Sequence, residues 1–158
     1  MGAGKTAVGR QLARSLHLSF VDSDDEIESR TGVDISFIFD KEGEPGFRKR
    51  EAAVIDDLTQ RDGVVLATGG GAVVDTDSRS RLGGRGYVVY LYTSVDQQFA
   101  RTRKGRERPL LEGGDRREIL ETLLATRDPL YREIADLVVD TDGRKVHSVV
   151  KEIIEHVS

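Results

Sequence analysis

Gly2-Ala3-Gly4-Lys5-Thr6 is a run of residue types suited to holding phosphate. It matches the end of the pattern G-x-x-x-x-G-K-[ST]. In that loop consecutive backbone N–H groups face inward and cradle phosphates, the lysine reaches the terminal phosphates, and the hydroxyl ligates Mg²⁺. Gly2, Ala3 and Gly4 would supply the amides, Lys5 the cation and Thr6 the metal ligand. The plainer alternative is a glycine-rich turn capping a helix. The first glycine of the pattern and the apolar strand before it are expected upstream of Met1. The chain therefore reads as truncated, begun at an internal start or lacking residues there.

Other residues could act beside such a loop. Asp22 and Asp24 are two apart, so on an extended backbone both side chains share one side. One could hold a Mg²⁺-bound water while the other accepts a hydrogen bond from an attacking hydroxyl. Helix capping is the alternative, because Asp25-Glu26-Ile27 follows. Gly69-Gly70-Gly71 permits close approach to its backbone, or is simply a flexible junction. Arg48 lies in a charged helical stretch and could be a solvated surface residue. Arg127, before Asp128-Pro129-Leu130-Tyr131, lies near an expected helix end, where a dipole interaction would suffice. Five of the eight residues from Arg101 to Arg108 are basic, as in a solvated loop or a lid closing arginines over a nucleotide. His17, His147 and His156 fall in no constellation.

The elements that must position these residues follow from periodicity. Val8, Leu12 and Leu16 mark a helix from about Lys5, its N-terminus aimed at any phosphate. Strands are expected at Leu18–Val21, Val64–Ala67, Tyr87–Leu91 and Leu137–Asp140. Helices are expected at Thr31–Phe39, Phe47–Leu58, Val95–Arg103, around Ile119–Leu124 and at Val146–Val157, and a polar loop at Lys104–Arg116. Alternating strands and helices signify an α/β fold with a parallel sheet covered on both faces.

Bulk properties narrow the class. The 158 residues, 37% hydrophobic and 33% charged, suit one globular domain. A net charge of -4 argues against a nucleic-acid partner. There is no cysteine, which excludes disulfides and thiolate metal sites. No apolar run approaches the roughly 20 residues needed to span a bilayer. A cytoplasmic location, no membrane association and a monomeric state are the expectations.

Phosphate loop, acidic pair, glycine triplet and arginines converge on a kinase for a small anionic metabolite. GAGKT, DSDxxIE at Asp22–Glu28, FD at Phe39-Asp40, EPGFRKRE at Glu44–Glu51, ATGGGAV at Ala67–Val73, RPLL at Arg108–Leu111 and RDPLY at Arg127–Tyr131 together resemble the shikimate kinase family. The resemblance implies a three-layer P-loop fold with a five-stranded parallel sheet, its first strand absent from this sequence. It implies one domain over 1–158, a substrate region at about 24–60 and a lid at about 104–116. The implied reaction moves the γ-phosphoryl of ATP to the 3-hydroxyl of shikimate, with Mg²⁺ as cofactor.

By the same resemblance Gly2 to Ala7 hold the ATP phosphates, with Lys5 catalytic and Thr6 on the metal. Asp22 positions Mg²⁺ through water. Asp24 meets the substrate hydroxyls and acts as base. Arg48 and Arg127 grip the carboxylate, and Gly70 donates a backbone bond. Arg108 reaches ATP from the lid; Arg101 and Arg144 serve the adenine side. Ala7 replaces a second Ser/Thr seen in many members. The alternatives are a related kinase, for gluconate or a nucleoside monophosphate, and a nucleotide-binding module without catalysis.

Overall fold

A computed structural model describes residues 4–102 and 115–157. Helix α1 (Lys5–Leu16) leads into strand β1 (Ser19–Asp22), α2 (Ser23–Thr31) and α3 (Ile35–Leu58). Strand β2 (Val64–Ala67) runs into a 3-10 turn (Gly70–Val74) and α4 (Thr76–Arg85). Strand β3 (Val89–Tyr92), α5 (Val95–Thr102), α6 (Arg116–Ile134), β4 (Leu137–Asp140) and α7 (Val146–Val157) complete the order. Among the described residues no helix is long and apolar enough to cross a membrane.

Among the described residues both strand pairs are parallel, with helices supplying the crossovers that such pairing needs. Strand β1 pairs with β2 from Ser19↔Val64 to Asp22↔Ala67, and β3 pairs with β4 from Val89↔Leu137 to Tyr92↔Asp140. Among the described residues these are two separate two-stranded sheets. Each has its own core. Ile27, Ile38, Phe47, Val54 and Leu58 pack beside β1 and β2, whereas Val8, Val139, Val149, Val150 and Ile153 pack beside β3 and β4. Helix α1 touches both halves, through β1 and β2 on one side and α7 on the other.

Aspartates start α2, α3, α4 and α6. The side chains of Asp22, Asp34, Asp75 and Asp115 accept first-turn amides that have no partner within the helix. Helix α1 differs. Its N-cap is Gly4 in the left-handed region, φ 74°, with no side-chain cap. Its first amides are thus left for another acceptor.

Several expected boundaries move. The helix expected at Thr31–Phe39 begins at Ile35, and its continuation to Leu58 is interrupted at Gly43, φ 71° and ψ -179°. Pro45 is tolerated there because it opens the second segment, where its missing N–H costs little. Helices α2 and α4 carry almost no apolar periodicity, with Ile27 and Ser78 among their few buried residues, so pattern reading passed over both. Tyr87 precedes β3 and is exposed. Arg116, expected in a loop, lies in the first turn of α6. Asp115 of the expected lid caps that helix, and residues 104–114 lie outside the described residues.

Candidate active site

The carboxyl ends of β1 and β2 and the start of α1 meet at one place. Lys5 Nζ lies 3.1 Å from Asp22 Oδ2 and 3.5 Å from Asp24 Oδ2. Thr6 Oγ1 donates to Asp22 Oδ2 at 3.5 Å. Asp22 is buried, and its other oxygen accepts Asp24 N at 2.8 Å and Asp25 N at 3.4 Å. The two acids therefore do not share an extended backbone. Asp22 ends the strand and caps α2, while Asp24 lies in the first helical turn. They converge on Lys5 because the chain bends between them.

Asp24 has one buried oxygen, Oδ1, without a hydrogen-bond partner. Burial pushes its carboxyl above the ordinary aspartate range; Lys5 opposes this shift and Asp22 adds to it. Such a group is a better proton acceptor than a solvated aspartate.

Glu51, not singled out from the sequence, is almost as informative. Its Oε1 accepts Arg48 Nη1 at 2.8 Å, while Oε2 is buried and unpartnered. Burial raises its carboxyl too; Arg48 and then Arg127 oppose the shift, with the Asp24 charge adding to it. The signal was present as an i,i+3 Arg–Glu pair within EPGFRKRE. Glu44 holds the other edge of the Arg48 guanidinium at 3.2 Å.

The glycine triplet has a more definite purpose than flexibility. A Cβ on Gly69 would lie 3.0 Å from Asp24 Oδ1 and 3.4 Å from Glu51 Oε2. One on Gly70 would lie 2.9 Å from the Tyr131 hydroxyl and 3.4 Å from Arg127 Nη1. One on Gly71 would fall inside the Arg48 guanidinium. Three consecutive missing side chains thus seat five functional groups. Arg127 is 6% exposed and lies inside α6, which runs on to Ile134, so the plain alternative of a helix-end charge fails. One turn later Tyr131 donates to Gly70 O at 2.5 Å. That tyrosine was visible as the end of RDPLY without an assigned role.

The remaining expected residues are more dispersed. Arg101 Nη2 approaches Thr141 O at 3.5 Å. Arg144 donates to Glu152 at 2.6 Å, to Ser148 and to Asp140 O, which ties β4 to α7. Ala7 is exposed in the first turn of α1. Gly2, Ala3 and Arg108 lie outside the described residues.

Comparison with known proteins identifies the family. The shikimate kinase family pattern matches residues 1–158. A shikimate kinase of Halorhodospira halophila is 61% identical over 155 residues, 98% of this chain and 88% of that one. One from Shewanella amazonensis is 58% identical over 155 residues, 98% of this chain and 91% of its own length. Among solved structures, shikimate kinase from Acinetobacter baumannii in complex with shikimate superposes with a TM-score of 0.96 at 48% identity, over 99% of this chain and 88% of that one. A family pattern matched over residues 1–158, relatives 58% and 61% identical across nearly the whole chain, and a shared α/β P-loop-like fold place this chain in the shikimate kinase family.

Proposed function

We propose residue roles for the reaction that family membership establishes, transfer of the γ-phosphoryl of ATP to the 3-hydroxyl of shikimate, giving shikimate 3-phosphate and ADP. The carrying observation is the convergence of Asp24, Glu51, Arg48 and Arg127 on three consecutive glycines. Arg48 and Arg127 hold the shikimate carboxylate, for which planar multi-donor guanidinium groups suit. The Gly70 amide supplies a further donor. Asp24 accepts a hydrogen bond from the 3-hydroxyl and takes its proton as the oxygen–phosphorus bond forms and the γ–β bridge breaks.

Backbone amides from Gly2 to Ala7 hold the phosphates. Lys5, beside Asp22 and Asp24, reaches the β/γ-phosphates of ATP. Mg²⁺ fits the Thr6 hydroxyl and the Asp22 carboxylate, both hard oxygen donors, with Asp22 acting through water. Among the described residues no group of three or more His, Cys, Asp or Glu gathers, which suits an ion that keeps waters and leans on phosphates. When bound, the ion offsets phosphate charge. Arg108 reaches ATP from a lid at about 104–116, and Arg101 and Arg144 flank the adenine.

The finer fold reading is one domain with a five-stranded parallel sheet, its first strand lying between β2 and β3. Two parallel pairs that do not bond to each other support it. A cytoplasmic monomer without nucleic-acid or membrane partners is the simplest setting.

Coupled assays with shikimate, gluconate and nucleoside monophosphates test the substrate, and turnover only with a substrate other than shikimate would overturn it. Arg127→Ala tests the site. An unchanged shikimate KM and kcat would remove Arg127 from it.

A further inference from the structure

Tyr131 belongs to a motif whose arginine has a role and whose tyrosine has none. Its hydroxyl donates to Gly70 O at 2.5 Å, 61 residues away in sequence, joining α6 to the first residue of the 3-10 turn. The ring is seated from behind. It packs against Tyr90 of β3 at 4.6 Å between centroids, and the Tyr90 hydroxyl donates to Asp128 Oδ1 at 2.7 Å. Asp128 in turn holds Arg132 at 2.9 Å, and the Arg132 guanidinium lies over the rings of both Tyr90 and Tyr92. One face of α6 thus carries Arg127 and Tyr131 toward the glycine turn, while Asp128 and Arg132 fasten the helix to β3.

We infer that Tyr131 is a positioning residue for shikimate: by holding the Gly70 carbonyl it fixes the peptide planes of the glycine turn relative to the Arg127 guanidinium. The physical reason is the conformational breadth of glycine. Three in succession have no side chains to hold their peptide planes, so a turn that presents an amide to a ligand needs an external tether. A carbonyl bonded to a phenol anchored in a packed aromatic group is such a tether. The same contact explains why Gly70 carries no side chain, since a Cβ would crowd the hydroxyl at 2.9 Å.

This inference rests on the reading that the Gly70 amide meets shikimate, and the test separates the two. Tyr131→Phe keeps the ring and removes the tether. The expected result is a shikimate KM raised about tenfold, the scale of one well-placed hydrogen bond, with the ATP KM unchanged. Gly70→Ala should raise the shikimate KM as well, and the double variant should be no worse than Gly70→Ala alone, because removing the hydroxyl makes room for the new methyl group. A wild-type shikimate KM in Tyr131→Phe, beside a raised one in Gly70→Ala and Arg127→Lys, overturns the role of Tyr131 alone. Wild-type values in all three overturn the site reading. Equal rises in both substrates' KM with a lowered Tm would reduce Tyr131 to a packing residue. Should Tyr131→Phe fold poorly, a fluorinated tyrosine at 131, whose hydroxyl ionises nearer neutrality, provides the second measurement. Its shikimate KM should climb with pH as the phenolate loses its donor, and a flat profile matching wild type through that ionisation overturns the inference.

Discussion

Arg48 and Glu51 stand three residues apart on α3 and join at 2.8 Å, with their side chains 17% and 3% exposed. The pairing orients the guanidinium against Gly71 and leaves the second glutamate oxygen buried without a partner. Under its proposed role, the arginine that holds the shikimate carboxylate is thereby oriented by its own helix.

Removing that restraint should cost both binding and stability. Glu51→Ala is expected to raise the shikimate KM at least about tenfold and to lower stability by on the order of 2 kcal/mol, the scale of one lost charge-assisted bond. Steady-state kinetics and denaturant melts check the two effects. An unaltered KM would show that Arg48 needs no orienting partner.

The raised carboxyl of Glu51 predicts a pH dependence of stability. A carboxyl whose folded-state value exceeds its unfolded value near 4.5 binds more protons when folded. Its favourable contribution is complete below 4.5 and is lost as pH rises through the folded value. Relative to Glu51→Gln, the wild type should therefore lose stability with increasing pH above 4.5. Urea melts over that range check the sign, and a difference that grows in favour of wild type would contradict it.

Gly71→Ala should act almost entirely on shikimate. Its methyl group must displace the Arg48 guanidinium, so the shikimate KM should rise by about tenfold or more while the ATP KM holds. Kinetics with each substrate varied in turn decide it.

Asp22 serves a helix and a cation at once, and two substitutions separate these duties. Asp22→Asn keeps an N-cap but removes the charge facing Lys5, so kcat should fall with little change in melting. Asp22→Ala should lose about 1 kcal/mol of stability in addition. Equal melting temperatures for the two variants would remove the cap from the account.

Much of the site was legible because its chemistry lies in short motifs. GAGKT, the Asp22/Asp24 pair and the glycine triplet each sit at an element end, where pattern and chemistry coincide. Glu51 was harder to see. It is buried and charged, and a helix stretch rich in Arg, Lys and Glu reads as solvated surface until Gly69 and Asp24 are brought against it. Tyr131 needed tertiary structure for the same reason, since its partner is 61 residues away. Helices α2 and α4 were missed because their caps and packing, not an apolar stripe, hold them. The relation of Asp22 to Asp24 was misread because a strand ends between them, and two-residue periodicity applies only while the backbone stays extended.

The separate cores beside the two strand pairs have a consequence for cooperativity. Arg48 rides on a helix whose buried face belongs to one core, and Lys5 begins a helix whose Val8 belongs to the other. Arg127 and Tyr131 come from α6, which packs on the 3-10 turn. Under the assigned roles shikimate links two of these bodies through Arg48 and Arg127 and ATP engages the third through Lys5, so a bound substrate works as a removable structural strut as well as a reactant. Occupancy and global stability are then one thermodynamic quantity: at a hundredfold excess over Kd, the strut contributes about 2.7 kcal/mol, a sizeable share of what holds a domain of this size together.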